Sequence, residues 1–219
     1  MASMTHFQDS EFGGSSTGMG YLSPNPYVRN SADEPQYPSI DEKLELSVAG
    51  VRFVNRMLDN GMVVDVAHSS DKTIAHVATI AMEHNKPIIN SHGGVQDCYQ
   101  RPRNLSHADL INIAKTKGVV GIGLYEQFVG GTSPSDVANC MKHTIEFLDA
   151  NADEIGNAGM SGIDYVGLGS DFDGGVTTVV DAGHLAAITQ ALSEVGFNQT
   201  EINKIMGGNM KRAITASLN

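Results

Sequence analysis

Four short apolar runs, each followed by a helical pattern, constrain the fold of this chain more than any other feature. The runs are 62–67, 86–91, 118–124 and 165–170. Near-continuous runs of this length, rich in β-branched residues, are typical of strands that are buried on both faces of a parallel sheet. Because the strands alternate with helices across short connections, the sequence predicts an α/β fold.

Helical patterns fill the segments between the runs. Ser70 is placed to cap the second helix, and Ser106 with Asp109 and Ser133 with Asp136 resemble capping boxes. The predicted helices are 41–60, 71–85, 107–117, 134–151, 181–196 and 199–217, the last broken near Gly207-Gly208-Asn209. The chain is predicted to be a single domain, 1–219, in which the polar, glycine- and proline-punctuated segment 13–40 forms a long surface loop.

The residues that end the four runs decide between two α/β architectures. A doubly wound sheet and a (β/α)8 barrel of the TIM type both fit the alternation. The runs lead into His68, His92, Tyr125 and Asp171, and barrels collect active-site residues from the carboxyl ends of several strands. We therefore predict a barrel. It is a partial one, because a barrel needs about 250 residues and only these strands, with Ala2–Thr5 as a fifth, are visible.

Charge, hydropathy and cysteine content narrow the choice of partners. The formal net charge of −11 is expected to repel nucleic acid and anionic membranes, so neither is predicted as a partner. No stretch has the apolar length of a transmembrane segment, and residues 1–6 lack a signal-peptide pattern. Cys98 and Cys140 lie at no metal-type spacing, and we expect them to be reduced packing residues rather than a disulfide.

His68 and His92 form a matched pair, because each follows a predicted buried strand and they lie about one strand–helix unit apart. The pair is therefore predicted to face the same barrel mouth. Imidazole is a common zinc ligand, and catalytic zinc typically takes three protein ligands with one open position. The two histidines predict part of a zinc site, and the alternative is two hydrogen-bonded histidines in polar loops.

Asp171, Arg103 and His6 are the other candidates for the site. Asp171 follows a strand among glycines, which suits either a general base beside a metal or a turn cap. Arg103 follows His92 closely, where a guanidinium would hold a substrate carboxylate in a bidentate pair. A surface ion pair is the alternative, and it is the interpretation preferred for Arg101. His6 by itself indicates nothing.

Six motifs, in order, resemble the renal (membrane) dipeptidase family of zinc-dependent peptidases, in its bacterial branch, within the amidohydrolase-like metal-dependent hydrolases. The motifs are Thr5-His6-Phe7 with the downstream Gly-Gly-Ser-Ser-Thr-Gly, Val64-Asp65-Val66-Ala67-His68-Ser69, Ile89-Asn90-Ser91-His92, Arg101-Pro102-Arg103-Asn104-Leu105-Ser106, 165–174 and 206–212. They cover nearly the whole chain. The resemblance implies a TIM-type barrel, of which this chain holds about the fourth to eighth strands.

The resemblance also implies roles for individual residues. It implies a dipeptidase with two zinc ions, which hydrolyses dipeptides through a metal-bound hydroxide. His68 and His92 would ligate one of the two ions. His6 would contact the substrate and polarise its scissile carbonyl, and Arg103 would bind the terminal carboxylate of the substrate. Asp171 would contact the substrate and transfer the proton during hydrolysis.

The chain departs from the family pattern in its metal ligands. The family's His-x-Asp pair and bridging glutamate have no counterpart upstream of His6, so at most a partial zinc site is expected. We interpret the chain as starting near the fourth barrel strand, as a truncated gene, a split gene or a fragment would. Alone it is expected to be impaired, and either to form a homo-oligomer or to associate with a missing N-terminal half.

Two other functions stay open at this point. The same scaffold could serve an amidohydrolase that acts on acylated amino acids or cyclic amides, and Arg103 is the feature that favours free-ended dipeptides instead. The chain could also be a non-catalytic fragment that needs an N-terminal partner. Location is open as well: cytoplasmic if Met1 is the true start, secreted or membrane-associated if a segment with a signal precedes it. Asp173 is interpreted as structural.

Overall fold

The computed structural model describes residues 1–6, 8–16 and 44–218. Their central element is a parallel sheet with the strand order β1-β2-β3-β4-β5. The strands are β1 (Ala2–Ser3), β2 (Val64–Asp65), β3 (Ile88–Gly93), β4 (Val119–Gly123) and β5 (Val166–Ser170). Neighbours in space are neighbours in sequence, as expected when successive strand–helix units return the chain to the same end of the sheet. The predicted parallel α/β sheet is confirmed.

Helices follow the strands, as predicted. In the described part of the chain they are α1 (Val48–Asp59), α2 (Asp71–Glu83), α3 (His107–Lys115), α4 (Glu126–Val129), α5 (Pro134–Ala150), α6 (Ala152–Ile155), α7 (Ala186–Glu194), α8 (Gln199–Asn203) and α9 (Asn209–Leu218). Short 3-10 turns lie at Gly162–Tyr165 and Ala182–His184, and a π turn joins α8 to α9 at Lys204–Gly208. Across residues 1–6, 8–16 and 44–218, no helix has the length and apolar character to cross a membrane.

The predicted caps set the starts of three helices. The side chain of Ser70 accepts a hydrogen bond from the Thr73 amide at the start of α2, and both predicted capping boxes, at α3 and α5, are present. The first helix begins later than predicted, because Ser47 caps it; residues 41–43 lie outside the described residues. The predicted break at Gly207 is also confirmed, since its φ of 156° is non-helical.

The two faces of the sheet are covered by different helices. Val64, Ile88 and Val120 belong to the main core, together with apolar residues of α1, α2, α3 and α5. The residues that alternate with them along the strands, Val63, Ile89 and Val119, pack with Ala213 and Met210 of α9. Alternation along a strand sends neighbouring side chains to opposite faces. The sheet is therefore covered on one face by the main helical layer and on the other by α9.

The segment 13–16 corrects part of the predicted surface loop 13–40. Residues 13–16 are buried, and the rest of that loop lies outside the described residues. The Gly14 carbonyl accepts a hydrogen bond from the Ser70 amide at 2.8 Å, and the Ser16 amide donates to the His68 carbonyl at 2.6 Å. A Cβ at Gly14 would overlap the Leu44 carbonyl oxygen. The segment is buried because it packs against the turn that carries His68.

The cysteines also correct the sequence interpretation. Cys98 and Cys140, expected to be reduced, form a disulfide between the loop after β3 and α5, with a Cα–Cα separation of 5.7 Å. Their separation of 42 residues hides the proximity from any local pattern. A disulfide that closes a loop of this length stabilises the fold substantially even when the core is large, because it restricts the conformations of the unfolded chain.

Candidate active site

His68 and His92 converge at the carboxyl edge of the sheet. His68 follows β2 and His92 lies near the end of β3, and their Nε2 atoms are 2.9 Å apart. The rings meet nearly edge to face, with centroids 5.0 Å apart. His68 is buried and the His92 side chain is 21% exposed. The structure therefore brings together the two side chains that the sequence paired.

Left-handed backbone is concentrated around this pair. His68 has φ of 65°, and in the turn after β5 Ser170, Asp171 and Asp173 have φ of 38°, 72° and 60°. Non-glycine residues enter this region at a cost in energy, and such strain clusters at functional sites. Gly174 lets the same turn close tightly, because a Cβ there would overlap Oδ1 of Asp171. Asp173, interpreted from the sequence as structural, is exposed in this turn.

Asp171 and His6 complete the rim of the site. Oδ1 of Asp171 lies 3.8 Å from Nε2 of His92, and the Asp171 side chain is 15% exposed. The His6 ring lies against the His68 ring, with centroids 4.3 Å apart. His6 is exposed, whereas His68 beneath it is buried. His6 and Asp171 are thus placed where a molecule bound over the histidine pair would touch them.

Arg103 lies deeper than the sequence suggested. It is 4% exposed, and its guanidinium donates a hydrogen bond to the His92 carbonyl oxygen at 2.9 Å. The same group lies over the Phe128 ring, 5.4 Å from its centroid. Arg101, interpreted as a surface ion pair, instead donates to the side chain of Gln127. Arg103 therefore holds the His92 backbone in place and also brings a positive charge to the site.

The electrostatics of the site keep its imidazoles neutral. Burial is the largest cause of the lowered pKa of His68, and the charge of Arg103 lowers it further. The pKa of His92 is lowered by burial and by Arg103, against the opposing effect of Asp171. The same balance lowers the pKa of His6. Metal ions bind the neutral imidazole, so these shifts favour metal binding over protonation near neutral pH.

Asp65 and Ser91 belong to the site, although no role was predicted for them from the sequence. Asp65 is buried at the end of β2 and accepts a hydrogen bond from the Ser91 hydroxyl at 2.6 Å. That hydroxyl is also 2.9 Å from Nδ1 of His92. A buried carboxylate inside an otherwise apolar strand was the available signal, because such a group needs partners.

The histidine pair fits a zinc ion as part of its ligand set. Two nitrogens bound tetrahedrally at about 2.0–2.1 Å from zinc lie about 3.3 Å apart, close to the 2.9 Å observed between the Nε2 atoms. Within residues 1–6, 8–16 and 44–218, no group of three or more His, Cys, Asp or Glu side chains is arranged to hold a metal. Within the described residues the pair would supply two ligands, one fewer than catalytic zinc typically takes.

Comparison with known proteins assigns the family. The model of the Membrane dipeptidase family (Peptidase family M19) matches residues 11–218. This chain belongs to the membrane dipeptidase family. The predicted family is confirmed, and membership supports a dipeptidase-type hydrolase as the functional class.

Relatives in the membrane dipeptidase family are longer than this chain. Dipeptidase aclJ of Aspergillus oryzae is 28% identical over 90% of this chain and 45% of its own length. An uncharacterized dipeptidase of Schizosaccharomyces pombe is 29% identical over 76% of this chain and 39% of its own. The chain thus spans less than half the length of these two relatives.

Solved structures share the fold. An amidohydrolase from Pseudomonas aeruginosa superposes with a TM-score of 0.72 at 20% identity, over 99% of this chain and 64% of that one. A metallopeptidase from Rhodobacter sphaeroides, liganded with a phosphinate mimic of the dipeptide L-Ala-D-Ala, superposes with a TM-score of 0.67 at 24% identity. The match covers 79% of this chain and 47% of that one. The predicted fold class, a partial TIM-type barrel, is confirmed.

Proposed function

We propose that this chain carries the substrate side and two metal ligands of a dipeptidase active site. The observation that carries the proposal is the convergence of His68 and His92, whose Nε2 atoms lie 2.9 Å apart. Asp171 adjoins the same pair. In a chain of the membrane dipeptidase family, this arrangement at the carboxyl edge of a parallel sheet is best explained as part of a hydrolytic metal site.

Zinc is the metal that we propose for the pair. His68 and His92 would hold it through Nε2, and an all-imidazole donor pair suits zinc better than magnesium or calcium, which prefer oxygen. When bound, zinc would supply Lewis acidity that polarises the scissile carbonyl. The lowered pKa values of both histidines keep these ligands in the form that binds metal.

We assign the proton transfer to Asp171. Its carboxylate stands at the rim beside His92, partly exposed to solvent. There it would accept the proton of the attacking water and return it to the leaving amine nitrogen, so that a neutral amine departs. The left-handed backbone at residues 170 and 171 holds the carboxylate toward the histidine pair.

Arg103 and His6 would bind the substrate. The charge of Arg103 lies close enough to lower the pKa of three histidines, so its guanidinium would also attract and hydrogen-bond the free carboxylate of a dipeptide. His6, exposed above His68, would donate a hydrogen bond to the scissile carbonyl. An acylated amino acid also has a carboxylate but lacks the free amine of a dipeptide. Comparing the hydrolysis of the two substrate types therefore separates a dipeptidase from a broader amidohydrolase.

Full activity is proposed to need ligands from outside the described residues. Two imidazoles are one ligand short of the usual catalytic set. β1 and β5 each pair with one neighbour only in the described part, and such edges favour further strand pairing. We therefore propose that the chain is active together with an N-terminal half of the barrel. That half would be either a separate chain or another segment of the same polypeptide.

The test is complementation. The chain is co-expressed with the N-terminal segment of a longer family member, purified, and assayed for zinc by elemental analysis and for dipeptide hydrolysis. Zinc-dependent turnover is expected, lost in His68→Ala and His92→Ala and kept in His184→Ala, whose side chain is 76% exposed. A complex that binds zinc but turns over only acylated amino acids would refute the dipeptidase assignment.

A further inference from the structure

Asp65 lies at the centre of a hydrogen-bonded group that crosses three strands. It pairs in register with Ser3 of β1 and with Ile89 of β3. Ser91 lies two residues beyond Ile89 and therefore on the same face of the sheet. Oδ2 of Asp65 accepts from the hydroxyls of Ser3 and Ser91, at 3.0 and 2.6 Å, while Oδ1 accepts from the amides of Ser91 and Ala67 at 2.9 and 3.0 Å.

These contacts fix the direction of the next hydrogen bond. An ionised carboxylate only accepts hydrogen bonds, and a serine hydroxyl has a single proton to donate. Because Ser91 donates that proton to Asp65, its oxygen can only accept from Nδ1 of His92, 2.9 Å away. Nδ1 of His92 must then carry the ring proton, which leaves a lone pair on Nε2 facing His68.

We propose that Asp65 and Ser91 are positioning residues that fix His92 in its Nδ1–H tautomer and so keep Nε2 free to bind metal. The proposal rests on the proposed role of His92 as a metal ligand. Partners of this kind orient ligating histidines in metal sites, and losing one typically lowers metal affinity 10- to 100-fold, as an order of magnitude. The alternative is that Asp65 only ties β1, β2 and β3 together.

The deciding experiment uses the metal-free full chain at neutral pH. Long-range 1H–15N spectra report which nitrogen of His92 carries the proton. Asp65→Asn has nearly the same shape but presents an amide NH2 that donates to Ser91, which frees the Ser91 proton for His92. We expect Nδ1–H in the wild type and a shift to Nε2–H in Asp65→Asn. Ser91→Ala, which removes the acceptor, should give a mixture of tautomers.

Matched variants separate positioning from strand cohesion. Ser3→Ala removes a hydrogen bond to the same oxygen of Asp65 without touching His92, so the tautomer should stay as in the wild type. Ser91→Thr keeps the hydroxyl on a residue suited to a strand. Unlike Ser91→Ala, it should therefore keep the wild-type tautomer of His92. Zinc affinity, measured by chelator competition, should fall about 10- to 100-fold in Ser91→Ala and stay within about twofold in Ser3→Ala.

The outcomes are distinguishable from those of the proposed function. A wild-type His92 that carries its proton on Nε2 would overturn the proposal, as would a tautomer unaffected by both Asp65→Asn and Ser91→Ala. If the wild-type chain, even when complemented, bound no zinc, the proposed function would fail. The spectra of the metal-free chain would still decide whether Asp65 and Ser91 set the tautomer.

Discussion

Nε2 of His68 lies 2.9 Å from Nε2 of His92, although 24 residues separate them in sequence. Two neutral imidazoles this close share one hydrogen bond, so one ring must donate and the other accept. A metal ion between them would replace that hydrogen bond with two nitrogen–metal bonds. The pair is therefore the point at which metal binding can be tested directly.

The first prediction concerns metal binding by this pair. His68→Ala and His92→Ala should each lower zinc affinity by more than the 10- to 100-fold typical of outer partners, roughly 100-fold or more, because a direct ligand is lost. X-ray absorption of the loaded, complemented protein should show zinc–nitrogen distances of about 2.0–2.1 Å. His184→Ala is the control. Unchanged affinity in both single variants would exclude the pair as ligands.

The second prediction concerns Arg103. In the complemented enzyme, Arg103→Ala should raise KM for dipeptides about 10- to 100-fold, as expected for the loss of a hydrogen bond to a charged group, with a smaller effect on kcat. Arg103→Lys should restore binding only in part, because lysine lacks the planar fork.

Arg103 also supports the His92 backbone, so the unfolding free energy of each Arg103 variant must be measured alongside its kinetics. A dipeptide amide, which lacks the terminal carboxylate, should bind weakly to the wild type and be little affected by Arg103→Ala. Normal KM in the folded alanine variant would contradict the anchor role.

The third prediction concerns the 219-residue chain alone. With two imidazole ligands in its described part, it should bind zinc weakly and hydrolyse dipeptides poorly or not at all. The outer edges of β1 and β5, which have no strand partner within residues 1–6, 8–16 and 44–218, should cause self-association, which sedimentation and dye binding would detect. Full turnover with two zinc ions per chain would show that other residues complete the site.

The fourth prediction concerns Asp109, whose carboxyl completes the capping box of α3. Burial, together with the nearby carboxyl of Asp71, raises the pKa of Asp109 well above its ordinary value. The folded state therefore holds this proton more tightly than the unfolded state does. Its contribution to stability is fully present below about pH 4 and is lost as pH rises through the raised pKa.

Asp109→Asn should remove this dependence, because the amide oxygen still accepts from Ser106 and no charge is buried. The variant should thus gain stability over the wild type as pH rises from about 4 toward neutrality. Urea unfolding at several pH values measures the difference. The exposed Asp153→Asn serves as the control, and a wild-type–variant difference that stays constant with pH would contradict the prediction.

The fifth prediction concerns the disulfide. For a closed loop of 42 residues, replacing Cys98 and Cys140 with serine should lower the free energy of unfolding by about 2–4 kcal/mol. Alkylation of the unreduced, unfolded protein should find no free thiol. Two reactive thiols would contradict the disulfide and support the prediction from the sequence that both cysteines are reduced.

The order of strands and helices was determined by the sequence itself. Near-continuous apolar runs fix a parallel sheet because both faces must be covered. Serine–aspartate pairs fix the starts of α3 and α5, because the two residues of each pair lie only three positions apart in the sequence. For the same reason the positions of His68 after β2 and of His92 near the end of β3 were predictable. The short helices α4 and α6 were not, because four residues carry no readable period.

Only the tertiary structure decided which side chains complete the site. Asp65 meets Ser91 across 26 residues, and Cys98 meets Cys140 across 42. Such pairs depend on strand register and helix packing, which local patterns do not encode. Residues 13–16 are buried for the same reason: the turn that carries His68 packs on them. The sequence placed the two histidines at one edge of the sheet, whereas the distance between them and the orientation of His92 follow from contacts between strands.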